Sequence, residues 1–242
     1  MLTNGLFALA LMPIGLIGCT ADVEPEEPGA ALPDASPNID APDQCPAAEA
    51  LWEDIDLATF EIIPAFEELD LAAVTPAEPA TYWELRFASP GGSTDVLGSV
   101  GEKCADAADT AACTSEFDQL STDSGFGTGC LPGYCFHYVV VNRGDTNTVI
   151  DTQQKLIDFL GTIDAAAEAA LIAHANGYWW DPSKQSTADV RAADGGFDLL
   201  VLGLVSDCAP VRHDRFLLHI AADGAVAVQR QQVYSVVCDA CI

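Results

Sequence analysis

Nine cysteines punctuate this chain of 242 residues: Cys19, Cys45, Cys104, Cys113, Cys130, Cys135, Cys208, Cys238 and Cys241. A set of that size restricts the fold more than any other feature, because each cross-link must bring two distant backbones within bonding reach. The count is odd, so one cysteine stands outside any complete pairing. If Cys19 has a separate role, eight remain, enough for four disulfides. Cys104 with Cys113, Cys130 with Cys135 and Cys238 with Cys241 are closely spaced, whereas Cys45 and Cys208 stand alone. Eight cysteines still allow about a hundred pairings, so spacing does not choose among them.

Cys19 is set apart by its surroundings. Residues 6 to 17, "LFALALMPIGLI", form an apolar run of signal-peptide length. The run is shorter than the roughly 20 residues a spanning helix needs. Pro13 and Gly15 would weaken such a helix further. Leu16, Ile17, Gly18 and Cys19 ("LIGC") end it. This quartet resembles the lipobox of bacterial lipoproteins. The resemblance implies removal of residues 1–18 as a signal peptide and attachment of lipid to the Cys19 sulfur. Several acyl chains on one residue hold a protein on a membrane where a single chain is marginal. Thr20, rather than an aspartate, follows the cysteine, which in that class implies the outer membrane. The stretch ahead of the run, "MLTNG", has no Lys or Arg, so either the start lies upstream or the α-amino group supplies the positive charge. An ordinary signal peptide with an incidental cysteine is the alternative.

Residues 20 to 44 contain seven acids, five prolines, no base and no aromatic residue. Such a segment cannot bury enough apolar surface to offset its ordering entropy, so the expectation for 19–44 is a lipidated cysteine followed by a disordered acidic Pro/Ala tether. The whole chain is acidic: 37 Asp and Glu against 9 Lys and Arg, a formal charge of -28. That charge disfavours nucleic acid and anionic headgroups and suits solubility or salty surroundings. The expected partners are the membrane, through the lipid, and an envelope protein or glycan.

From Cys45 the composition becomes globular, and 45–242 reads as a single α+β domain. "TYWELRFAS" alternates, with Trp83, Leu85 and Phe87 on one face and Tyr82, Glu84 and Arg86 on the other, which predicts a half-buried strand. Residues 47 to 71 predict a short helix or irregular chain, interrupted at Pro64. The alanine-rich stretch after Ser93 predicts helical pieces, the last starting after Thr114 or Ser115 and ending near Leu120. Phe136–Val141, a polar turn holding "RGD" (Arg143 to Asp145) and Thr148–Ile150 predict a hairpin. Two helices follow, Gln153–Leu160 after a cap at Asp151 or Thr152, and Ala165–Asn176, each stopped by a glycine. "STADVRAAD", "FDLLVLGLV", "RFLLHIA" and "AVAVQRQQVYSVV" predict an antiparallel meander. The expectation is an antiparallel sheet with a helix pair, stapled by disulfides.

Residues that could carry chemistry are few. "CLPGYC" and "CDAC" admit zinc or redox readings, but an exported chain favours structural disulfides, and no helix follows "CDAC" to depress a thiol pKa. None of the four histidines, His137, His174, His213 and His219, sits in a zinc-protease or serine-hydrolase motif, so no catalytic residue, metal site or cofactor is assigned. Asp145, Asn147 and Asp151 are spaced somewhat like calcium ligands without the full loop pattern. Tyr178, Trp179 and Trp180 follow a helix end and could either cap the core or bind a sugar or protein partner. The function expected is a lipid-anchored binding or structural domain. The alternatives are a hydrolase with its site near the tryptophans, or a glycan-binding adhesin, for which Trp179 and Trp180 should both be exposed.

Overall fold

The last four strands set the frame. β7 (Asp189–Ala193), β8 (Gly196–Asp207), β9 (Val211–Ala221) and β10 (Val226–Val237) run as an antiparallel meander, and the short β1 (Glu61–Ile62) pairs with β7. β8 is buried from Asp198 to Gly203 because its two faces are both covered, which is why it reads as an unbroken apolar run. These details come from a computed structural model describing residues 45–130, 134–184 and 186–239. The apolar run, Cys19, the acidic tether and Cys241 lie outside the described residues.

A second antiparallel sheet is built from β2 (Tyr82–Ala88), β3 (Thr94–Gly101), β4 (Phe126–Gly129), β5 (Cys135–Arg143) and β6 (Thr146–Ile150). Its order is β3-β2-β5-β4, with β6 also pairing β5. The two sheets and three helices, α1 (Thr110–Gln119), α2 (Gln153–Leu160) and α3 (Ala166–Ala175), make an α+β fold.

One core holds Trp83, Leu85, Val139 and Val141 of the second sheet together with Leu156, Phe159 and Leu160 of α2. The same core takes in Leu171 and Ile172 of α3, and Leu199, Val201, Leu218 and Ile220 of the meander. α3 touches β4 on one side and β7, β8 and β9 on the other. Glu168 to Ala173 are therefore all buried, as expected of a helix that is apolar all round. Glu168 survives there because its carboxylate accepts the backbone N–H groups of Thr75 (2.9 Å), Asp164 (2.9 Å) and Ala165 (3.1 Å). It closes the N-terminus of α3 and clips an upstream turn to it. No helix among the described residues is long and apolar enough to cross a membrane.

Two sequence expectations are corrected. β2 is not half-buried: Glu84 and Arg86 are buried too, because α1 covers the second face, its Phe117 clustering with Tyr138 and Val140 of β5. Arg86 bonds Glu84 (2.5 Å) and donates to the carbonyls of Leu120 (2.6 Å) and Phe117 (3.2 Å), satisfying the end of α1. The stretch after Ser93 opens as β3, and α1 starts at Thr110 with Asp109 as its cap. The irregular chain expected over residues 47 to 71 is there, broken by single 3-10 turns at 57–59 and 66–68 and by β1, with a third turn at 71–73. α2 spans the predicted residues and uses Thr152 as its cap.

The disulfides join Cys45 to Cys238, Cys104 to Cys113 and Cys130 to Cys135, and Cys208 is disulfide-bonded as well. Cys238 is thus committed to Cys45, so "CDAC" is not a redox pair. The Cys45 bond fastens the first described residue to the end of β10.

Candidate functional site

The three aromatics after α3 divide between two environments. Trp179 pairs with Leu202 as an extra bridge on β8, its N–H donating to the Leu202 carbonyl (2.9 Å) and its carbonyl accepting from the Leu202 N–H (2.7 Å). Alternation along this short extended stretch sends Tyr178 and Trp180 one way and Trp179 the other. Tyr178 packs on Phe216, and Trp180 packs on Phe66 while its indole N–H donates to the Pro64 carbonyl (2.7 Å). Trp179 faces outward, 38 % exposed, with its ring edge against His213 (5.7 Å between centroids). An exposed Trp179–Trp180 platform, which the adhesin reading required, is not formed: Trp180 belongs to the core.

Around Trp179 the ends of β8, β9 and β10 come together. Leu204 pairs with His213 and His213 with Ser235, while Asp207 pairs with Val211 and Val211 with Val237. Leu204, Val205 and Val237 are 47 %, 44 % and 54 % exposed. With Trp179 they are four of the eight large apolar side chains exposed among the described residues, so half of those side chains are gathered at one end of one sheet. A shallow hollow of about 300 Å³ lies along Leu204, Val205, Ser206 and Asp207.

His213 and Asp214, neighbours in sequence, point to opposite faces of β9. His213 bonds Ser235 (3.3 Å), whereas buried Asp214 accepts from Arg212 (2.7 and 2.6 Å) and Gln231 (2.7 Å). No His–acid pair therefore stands beside Trp179.

Such a pair occurs elsewhere. His219 Nδ1 lies 3.0 Å from Asp198 Oδ1, and the other oxygen of Asp198 takes Arg191 (2.9 and 3.2 Å). Arg191 also bonds the Thr59 hydroxyl (3.2 Å) and covers the Phe60 ring. The cluster fastens the 59–60 turn to the meander, with Asp198 shared between two basic groups.

His137 and His174 meet where β5, β4 and α3 converge. His174 Nε2 is 2.9 Å from His137 Nδ1, inside a shell of Phe66, Phe87 and Trp180. Burial, reinforced by the neighbouring imidazole of His174, depresses the His137 pKa to about 3. Burial likewise brings His174 to about 4, opposed in part by its bond to the Tyr178 backbone. Both rings are neutral at pH 7, one donating to the other. Sequence reasoning noted both histidines but gave no sign that they are partners. Gly127 was the available signal: its φ is 62°, and a Cβ there would overlap His174 Nε2. Gly127→Ala is expected to lower stability by about 3 kcal/mol, combining left-handed backbone strain with displacement of a pinned imidazole. Urea denaturation measures it, and a loss below 1 kcal/mol would show that the pair moves aside freely.

The calcium-like spacing does not produce a site. Asp145 accepts from the Ala108 N–H (2.7 Å), Asn147 bonds Asn142 (2.8 Å), and Asp151 binds Lys155 (2.7 Å) and Thr122 (3.1 Å). Among the described residues no three His, Cys, Asp or Glu side chains gather as metal ligands. A cavity of about 350 Å³ beside α1 is lined by Glu84 and Asp118, each paired with a base: Glu84 with Arg86 (2.5 Å) and Asp118 with Lys103 (2.7 Å). No protein-family model, curated protein or solved structure matches the chain.

Proposed function

We propose that the chain is an outer-membrane lipoprotein, anchored through Cys19, whose disulfide-stapled domain works by binding. The observation that carries this reading is the concentration of exposed apolar side chains, Trp179, Leu204, Val205 and Val237, at one end of the meander. Contiguous exposed apolar surface marks interaction sites, whereas scattered single residues need no explanation. The histidines and carboxylates with a chemical aspect support it too, since each is engaged in holding elements together: His219 and Asp198 with Arg191, Asp214 with Arg212, Glu84 with Arg86. The lipobox and acidic tether supply the address, and the Cys45–Cys238 bond supplies a covalent junction where that tether meets the domain.

Growth with radioactive palmitate followed by membrane fractionation tests the anchor. The full chain should take up label and sediment with the outer membrane, and Cys19→Ala should abolish the label. A Cys19→Ala protein that is still labelled would sink the reading.

A further inference from the structure

We propose that the end of the meander carrying Trp179 docks on the surface of the bilayer that holds the anchor, at zwitterionic lipid. The inference rests on the lipoprotein reading and adds to it an orientation and a contact.

The covalent path selects this end. Cys45 is bonded to Cys238, the residue after Val237, and Val237 sits opposite Val211 beside the Leu204–His213–Ser235 row. The chain leading back to Cys19 therefore leaves the domain from the rim of the apolar patch. Only the 25 residues 20–44 intervene between Cys19 and Cys45, a span of at most about 90 Å even when fully extended. Attachment at Cys19 thus makes contact between patch and membrane an intramolecular event. Linkage of that kind corresponds to an effective concentration of about a millimolar, so a contact too weak to bind a free domain suffices.

The side chains suit the place. Trp179 presents an amphipathic indole, the side chain that favours the level of lipid headgroups, and its backbone is locked to β8 on both sides by bonds to Leu202. Leu204, Val205 and Val237 supply aliphatic area around it. The remaining large exposed apolar residues among the described residues, Ile62, Val96, Val228 and Tyr134, lie on β1, on β3, near the start of β10 and just ahead of β5, with no comparable gathering. Charge then picks the lipid. Asp207 and Asp239 are exposed at the rim, and Arg212, which sits opposite Ser206 and Val236 at this end, is spent on Asp214. With a formal net charge of -28 over the whole chain, the protein is repelled by anionic headgroups.

The test uses the full lipidated chain in vesicles of phosphatidylcholine brominated on its acyl chains. The emission of Trp179 is isolated as the difference between the parent and Trp179→Phe. That emission should fall about twofold relative to unbrominated vesicles, and the fall should shrink when a third or so of the lipid is phosphatidylglycerol. Leu204→Asp with Val205→Asp should remove the quenching while flotation with the vesicles persists. Vesicles that carry the protein yet leave Trp179 unquenched would overturn docking and leave the anchor standing. A protein that neither takes up palmitate nor floats would overturn the anchor, and docking with it. Quenching that is as strong in phosphatidylglycerol would refute the choice of lipid.

Discussion

Acidification from pH 7 to pH 5 is expected to cost the folded domain about 4 kcal/mol, most of it through the His137–His174 pair. An unfolded histidine titrates near pH 6.5, while burial holds these two at about 3 and about 4. Between those values the unfolded chain binds protons that the native state refuses, so stability is present above pH 6.5 and drains away as pH falls. Over this interval each histidine contributes roughly 2 kcal/mol, and ordinary carboxylates barely titrate, which separates the effect from general acid denaturation. The geometry explains the refusal. The two nitrogens share one proton across 2.9 Å between aromatic rings, and protonating both imidazoles would set donor against donor. Urea unfolding at half-unit intervals of pH measures the slope. In His137→Asn with His174→Gln, whose amides keep a hydrogen bond and do not titrate, the slope between pH 5 and 6.5 should nearly vanish. An unchanged slope would place the proton uptake elsewhere.

That pair shows where sequence reasoning stops. The meander was legible because β7 to β10 follow one another with short turns, so each strand's partner is its neighbour in sequence. α2 was legible to the residue because Thr152 and Gly161 are local signals. The second sheet is different. β2 pairs with β5 across some fifty residues, and the cover on its far face comes from α1, so its alternating polar residues look solvent-facing in sequence and are buried in fact. Glu84 and Arg86 are stable there only because α1 ends on the Arg86 guanidinium. Likewise, nothing local to "GYWWDPS" says that Trp179 will pair with β8 and so turn the flanking aromatics inward. The exposed apolar patch joins the ends of three strands to a post-helix segment, a juxtaposition fixed by strand register rather than by spacing. The cysteine pairs divide in the same manner: two close locally, while Cys45 finds its partner 193 residues away instead of Cys238 finding the adjacent Cys241.

Removing that long bond in Cys45→Ala with Cys238→Ala is expected to lower stability by about 5 kcal/mol, against about 3 kcal/mol for the Cys104–Cys113 bond. The difference follows from loop length. A cross-link spanning 193 residues restricts the unfolded chain far more than one spanning 9. Its loss should also free the leading segment, which otherwise rests on modest contacts with β10. These are the Glu49 N–H to the Val233 carbonyl (2.8 Å), Gln232 to the Ala50 carbonyl (2.7 Å) and the exposed Asp54–Arg230 pair (2.5 Å). Hydrogen exchange at the Glu49 amide should accelerate in the double variant before any global change, and denaturant unfolding should give the stability loss. In a protein held through residues ahead of Cys45, any pull would reach these contacts first and strip the segment from β10. With the bond in place, the same pull is carried covalently into the final strand of the sheet. Equal losses for the two bonds, or no change at Glu49, would mean that the contacts alone hold the segment and that the long disulfide has no such role.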